Sequence, residues 1–93
     1  MPRMLDHGVR PALARTVRLR WDEHAGAQML IAPERGLLLD EVATRIVRLC
    51  DGSRTVGQIV DVLCATYDAD VRAVATDLES FLTELARRGL VRL

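Results

Sequence analysis

The chain has 93 residues, of which 49% are hydrophobic and 28% are charged, and its 13 basic residues balance 13 acidic ones. This length predicts a single domain, and this composition can supply a core, which argues against disorder throughout. A neutral domain lacks the field that attracts nucleic acid, and no apolar run approaches the roughly 18 residues needed to span a bilayer.

Charge is unevenly spread along the chain. Residues 1–20 contain five arginines against Asp6, a net of +4, whereas the remainder has eight arginines against 12 acids, a net of −4. The N-terminus mixes charged residues with short apolar stretches, so no signal peptide is visible. We expect a cytoplasmic chain in which Cys50 and Cys64 are reduced thiols packed in the core.

The N-terminal third predicts an arm followed by strands. Residues 1–14 contain two prolines, a glycine and scattered charges, which predicts a flexible arm before a single domain over residues 15–93. Residues 16–21 alternate apolar and polar side chains with a period of two, which indicates a half-buried strand. The apolar members of that strand, which we expect to face the core, are Val17, Leu19 and Trp21.

Two further strands follow after short turns. Residues 27–32 form a second apolar stretch, the sequence Pro-Glu-Arg-Gly at 33–36 predicts a turn, and Leu37 to Leu39 form a third short strand. Three strands joined by short turns predict an antiparallel meander.

The hydrophobic period then changes to that of helices. Asp40 is the predicted cap of the first helix, Thr55 and Gln58 form a predicted capping box for the second, and Asp70 caps the third. The predicted apolar stripes are Val42, Ile46, Leu49 and Cys50; Val56, Ile59, Val60, Leu63, Cys64 and Tyr67; and Val71, Val74, Ala75, Leu78, Phe81, Leu82 and Leu85.

The third helix is expected to stop at Gly89, and residues 90–93 form a short tail that could fold back onto the core. The order of strands followed by helices predicts an α+β fold. We expect a winged helix-turn-helix-like domain, in which a three-stranded antiparallel β-meander is followed by three α-helices.

The residues that could carry catalysis are few. Histidine occurs only as His7 in the arm and His24 in a turn, and neither has a Cys, Asp or Glu at metal-ligand spacing on a common helix face. The chain also lacks a glycine-rich phosphate loop and a nucleophile elbow. We therefore expect a non-enzymatic domain with no metal site.

The run Leu37-Leu38-Leu39 indicates a binding site. Adjacent strand residues point to opposite faces of a sheet, so both faces of this strand need a cover. The chain's own helices and arm could provide it, as could another subunit or a bound segment. If the strand lies at a sheet edge, a peptide can add beside it as a further strand.

The third helix is the predicted wall of such a groove. Its stripe is broad over Leu78, Phe81, Leu82 and Leu85, although the same residues could equally form an ordinary core. Asp77, at the margin of the stripe, could pair with a charge on a peptide.

The ordered segments resemble the PqqD family, whose members act in the biosynthesis of pyrroloquinoline quinone (PQQ), over roughly residues 5–93. The matching segments are the strand from Val17 to Asp22, the stretch from Leu30 to Leu39, the helix ending in Leu-Cys-Asp-Gly at 49–52, the Thr-Val-Gly-Gln-Ile opening at 55–59, and the stretch from Val74 to Leu90.

This resemblance implies a peptide chaperone, or RiPP recognition element, that needs no cofactor of its own. It would bind the precursor peptide PqqA and present it to the radical-SAM enzyme PqqE. The peptide-binding residues that the resemblance implies are Leu37, Leu38 and Leu39 on the third strand, facing Asp77, Leu78, Phe81, Leu82 and Leu85 on the third helix.

Two other classes remain open from the residues alone. The second and third helices resemble a helix-turn-helix, which suggests a winged-helix DNA-binding domain, although the third helix mixes arginines with acids and the second has no basic residue. A small redox or quinone-handling enzyme would need a reactive cluster that the sequence does not offer. An exposed apolar strand also permits a homodimer by edge pairing.

Overall fold

The computed structural model describes residues 5–93, which form two small antiparallel sheets and three helices. The strands are β1 (Ala12–Leu13), β2 (Arg18–Asp22), β3 (Ala27–Ala32), β4 (Arg35–Leu39) and β5 (Val91–Arg92), and the helices are α1 (Glu41–Leu49), α2 (Val56–Tyr67) and α3 (Val71–Arg87). The predicted α+β class, a three-stranded meander followed by three helices, is confirmed. No helix in the described part of the chain is long and apolar enough to cross a membrane.

The meander has the spatial order β2-β3-β4, so β2 and β4 are its two edges. Ala32 pairs with Arg35 across the second hairpin, which leaves a turn of two residues. Strand β4 therefore begins at Arg35 and is longer than the predicted Leu37–Leu39. Trp21 lies on the inner face of β2 together with Leu19, as predicted, but its side chain is 55% exposed, because an open cleft separates this end of the sheet from α1.

All three predicted helix caps are confirmed. The side chain of Asp40 accepts a hydrogen bond from the backbone N–H of Ala43 at 2.7 Å, and that of Asp70 accepts one from Ala73 at 3.0 Å. Thr55 and Gln58 form the predicted capping box, in which the side chain of each accepts a hydrogen bond from the backbone N–H of the other. These bonds satisfy backbone donors that a helix leaves free in its first turn.

Two clusters of buried side chains form the core, and Phe81 of α3 packs against both. The first lies among the helices and consists of Ile46, Cys50, Val56, Ile59, Val60, Leu63, Leu78 and Leu82. The second joins the sheet to α1, α3 and β5 and consists of Val17, Leu30, Leu39, Val47, Leu85, Leu90 and Val91. Helix α3 therefore contributes to both clusters and connects the sheet to the helices.

The two chain ends meet beside the helices. The tail folds back as predicted, because Leu90 and Val91 are buried and β5 pairs with β1. The described part of the predicted arm makes a turn at residues 6–9, and its carbonyl groups at His7 and Val9 accept hydrogen bonds from the first amides of α2. The first four residues of that arm lie outside the described residues. The flexibility predicted for residues 1–14 stays a prediction, and the contacts lead us to expect order near Val9.

Amide hydrogen exchange of the full chain tests this docking. We expect the N–H groups of Val56 and Gly57 to exchange as slowly as the capped amides of Ala43 and Ala73, because arm carbonyls accept from them at 2.8 and 3.0 Å. Exchange of Val56 and Gly57 at the rate of an unprotected peptide, with Ala43 and Ala73 still protected, would show that the arm is detached.

Candidate functional site

The three leucines of β4 point alternately to the two faces of the sheet. Leu39 is buried and Leu37 is half-buried on the face that meets the helices, where both pack in the sheet cluster. Leu38 is 53% exposed on the opposite face, in one row with Met29 and Arg20. The strand thus anchors itself by one face and leaves an apolar side chain on the other.

The outer edge of β4 is open. Among the described residues β4 pairs only with β3, so its other backbone edge has no strand partner. Helix α3 runs antiparallel to it: Arg35 donates to the carbonyl of Arg88 at 3.2 Å, while Asp40, directly after β4, lines the same pocket as Asp77. The rise per residue in a strand gives about 17 Å from Arg35 to Asp40, and the rise per residue in a helix gives about 17 Å from Asp77 to Arg88, so the two segments have matching lengths. We call the region between them the β4–α3 groove.

The predicted site residues occupy three kinds of position. The buried members are Leu39, Leu78, Leu82 and Leu85, the half-buried ones are Leu37 and Phe81, and the exposed ones are Leu38 and Asp77. The buried leucines of α3 therefore support the groove from beneath. Phe81 and the exposed pair are the members that a ligand can reach directly.

An apolar pocket of about 270 Å³, which we call the α1–α3 pocket, lies where the three helices meet and adjoins the groove at Asp77 and Phe81. It is lined by Asp40, Val42, Ala43, Ile46, Leu63, Tyr67, Val74, Asp77, Leu78 and Phe81. Its α1 and α2 members, together with Asp40 and Val74, were not predicted as site residues from the sequence.

Three residues predicted as core stripe are instead exposed near this pocket. Val42 is 45% exposed, Tyr67 is 38% exposed, and Val71, one turn before Val74, is 60% exposed. They stand in the first or last turn of their helices, where neighbouring elements cover them only in part; Tyr67 is covered on one side by Arg45 of α1, whose Nε donates to its hydroxyl at 3.0 Å. Exposed apolar side chains grouped beside a pocket are typical of a binding surface.

The two ends of the groove differ in charge. Asp40 and Asp77 make one end acidic. At the other end Glu84 binds both Arg87 and Arg88, with 2.8 Å between its carboxylate and Arg88 Nε. Hydrogen bonds from Arg87 and then Arg88 lower the pKa of Glu84 to about 2, so this end carries a fixed cluster of charges.

Cys50 takes no part in this surface. Its thiol is buried and lies 3.2 Å from the carbonyl oxygen of Ile46, to which it donates. Burial, and then the nearby charge of Asp51, raise the pKa of Cys50 to about 12. The thiol therefore stays protonated at neutral pH and packs as a small apolar side chain.

Together these features define a small α+β domain of the winged helix-turn-helix-like class with an open strand edge beside an apolar groove. A family model described as "Coenzyme PQQ synthesis protein D (PqqD)" matches residues 28–91. A relative from Rhodopseudomonas palustris (strain BisB5), named "PqqA binding protein", is 43% identical over 82 residues, which cover 88% of this chain and 80% of the relative.

Two solved structures share the fold. The solution NMR structure of the PqqD truncation of Methylobacterium extorquens PqqCD, described as a functional and stand-alone RiPP recognition element, has a TM-score of 0.76 and 41% identity and covers 89% of this chain and 88% of its own. The crystal structure of PqqD from Xanthomonas campestris has a TM-score of 0.60 and 34% identity, and the match covers 97% of this chain and 100% of that one. The chain belongs to the PqqD family.

Alanine substitutions separate the supporting leucines from the exposed one. We expect Leu82→Ala to lower the free energy of unfolding by about 2–5 kcal/mol, because it leaves a cavity in the helical cluster. Leu38→Ala should change it by no more than about 0.5 kcal/mol, because Leu38 is largely exposed. Urea denaturation measures both, and an equal loss in the two variants would contradict the assigned burial.

The Glu84 cluster predicts a pH dependence of stability. Because the pKa of Glu84 is lowered in the folded chain, the ionised carboxylate stabilises the fold above its unfolded pKa of about 4.3. That stabilisation is lost as the pH falls towards 2. We expect the wild type to unfold at higher urea than Glu84→Gln at pH 6, with the difference vanishing near pH 2. The exposed Glu34→Gln variant is the control, and a difference that is constant with pH would contradict the lowered pKa.

Proposed function

We propose that this chain is a non-catalytic peptide chaperone of PQQ biosynthesis. In this function it binds the precursor peptide PqqA in the β4–α3 groove and presents it to the radical-SAM enzyme PqqE. The observation that carries the proposal is the unpaired edge of β4, held beside α3 over a matching length. The name of the Rhodopseudomonas palustris relative, a PqqA binding protein, supports the choice of peptide.

Strand addition explains how one short groove can bind a peptide. An extended segment beside the five residues of β4 can make backbone hydrogen bonds with its free N–H and C=O groups. Side chains of that segment alternate, so one set lies towards Phe81 and the α1–α3 pocket and the other set lies beside Leu38. Backbone bonds then supply affinity, and the two apolar contacts supply specificity.

Charge gives the bound peptide a direction. Asp77 is exposed at one end of the groove and makes no ion pair with another described residue. A basic side chain of the peptide is therefore favoured there. At the opposite end the Arg35 and Arg88 contact closes the groove. The predicted peptide-binding set consists of Leu37, Leu38, Leu39, Asp77, Leu78, Phe81, Leu82 and Leu85, to which we add Val42 and Tyr67.

The chain's own part in this function is to hold the peptide extended. A bound peptide has already lost much of its conformational freedom, so an enzyme that receives it does not have to order it again. The chemistry would belong to PqqE, and the chain would act in the cytoplasm with both cysteines reduced.

Titration of the ¹⁵N-labelled chain with PqqA tests the proposal. We expect the largest saturable amide shifts in residues 35–40 and 74–85. Leu38→Glu should weaken PqqA binding at least about tenfold, because it places a charge against the apolar side chains of the added strand. Isothermal calorimetry measures the affinity, and addition of PqqE to the complex should then broaden the signals of a ternary species.

The matched control is Val62→Glu, which makes the same kind of change on the exposed face of α2 and should leave the affinity unaltered. Shifts confined to surfaces away from β4 and α3, or an equal loss of affinity in both variants, would reject the site. Turnover of a quinone precursor by the purified chain alone would reject the non-catalytic role.

A further inference from the structure

The sheet has a second open edge, at β2. This strand ends the order β2-β3-β4 on the side opposite β4, and among the described residues nothing pairs with its outer edge. Arg18 and Arg20 are exposed on one face of the strand, and Trp21 is 55% exposed on the other. Tryptophan and arginine, with tyrosine, are the residues most enriched at the energetic centres of protein interfaces.

A cleft runs along this strand between the sheet and α1. Its larger part, of about 680 Å³, lies between Trp21 and Gln28 on the sheet and Arg45 and Arg48 on the helix. Arg48 also lines a smaller cavity of about 410 Å³ together with Leu19 and Arg92. The inward side chains of β2, Leu19 and Trp21, therefore stand beside an open channel.

Several arginines along this edge have no ion-pair partner among the described residues. Within residues 5–93, five arginines around it make no side-chain hydrogen bond or ion pair: Arg15, Arg18, Arg20, Arg48 and Arg92. Most of the acidic residues nearby keep their charge but bind groups other than these five arginines. Asp22 binds the amide of His24, Asp40 caps α1, Glu41 lies 3.9 Å from Arg45, and Asp51 binds Ser53 and Arg54. Glu23, exposed in the turn after β2, is the exception.

We propose that the β2 edge is a second interaction surface that binds an extended acidic segment of another polypeptide. Such a segment would pair with the free backbone of β2, place carboxylates against Arg18 and Arg20 on one face, and place apolar or acidic side chains against Trp21 and Arg48 on the other. A nucleic acid is disfavoured, because its binding draws on a broad positive field and the whole chain has no net positive charge.

This surface lies across the sheet from the open edge of β4, and only its cleft reaches Leu39 and Asp40 at the end of that strand. It does not rest on the proposed function, since the two edges belong to different strands. Two occupied edges would let the chain hold a peptide and a second protein at once.

The test is an NMR titration of the ¹⁵N-labelled chain with a synthetic heptapeptide of alternating Glu and Val. We expect saturable shifts at residues 18–22 and at Arg48, a shift of the Trp21 indole signal, and weaker binding as salt increases. The double variant Arg18→Glu, Arg20→Glu should weaken binding at least about tenfold. Arg72→Glu, the same charge reversal at an exposed position of α3, should leave it unchanged.

Several results would overturn the proposal. These are the absence of saturable shifts at β2, shifts at β4 and α3 instead, or equal binding of the matching peptide of alternating Lys and Val. Stronger shifts of the same residues by a single-stranded oligonucleotide would assign the edge to nucleic acid. Shifts of these residues on concentrating the chain alone would assign it to a second copy. None of these results depends on PqqA, so the proposal for the β2 edge and the proposal for the β4–α3 groove are tested independently.

Discussion

The proposed binding of a peptide depends on how β4 is held. Leu39 and Leu37 pack by their inner side chains in the same cluster as Leu85 and Phe81, and this packing keeps the strand beside α3. The inner side chains of β4 are therefore packed against the core, although its outer backbone edge has no strand partner among the described residues. An edge that is rigid but unpaired is what strand addition requires, because the receiving strand is ordered before the guest arrives.

Helix α3 has two roles in this arrangement. Leu82 and Leu78 hold it among the helices, while Leu85 holds it to the sheet, so the wall of the groove cannot move without disturbing both clusters. This also bears on the DNA-binding alternative. The sequence outline of α2, a short turn and α3 fits a helix-turn-helix, but the exposed margin of α3 next to the groove is acidic at Asp77. Membership of the PqqD family and the acidic margin both favour a peptide as the ligand.

Local features were predictable from the sequence, and distant contacts were not. Asp40, Thr55 and Asp70 act on amides three residues ahead, so their spacing alone predicted three helix starts. The pairing of Ala12 with Arg92 joins the two ends of the chain, and no local pattern reports it. Helical periodicity also placed Val42 in the core, because a stripe of apolar residues does not reveal where neighbouring elements cover a helix only in part. The α1–α3 pocket was missed for this reason.

The central claim is that a guest backbone pairs with β4. The most direct measurement is a set of intermolecular nuclear Overhauser effects between the isotope-labelled chain and unlabelled PqqA. Strand pairing predicts such effects between backbone protons of the peptide and those of residues 37–39, together with side-chain contacts to Phe81. A bound peptide whose backbone protons contact only helices, or contact β2 in place of β4, would contradict it.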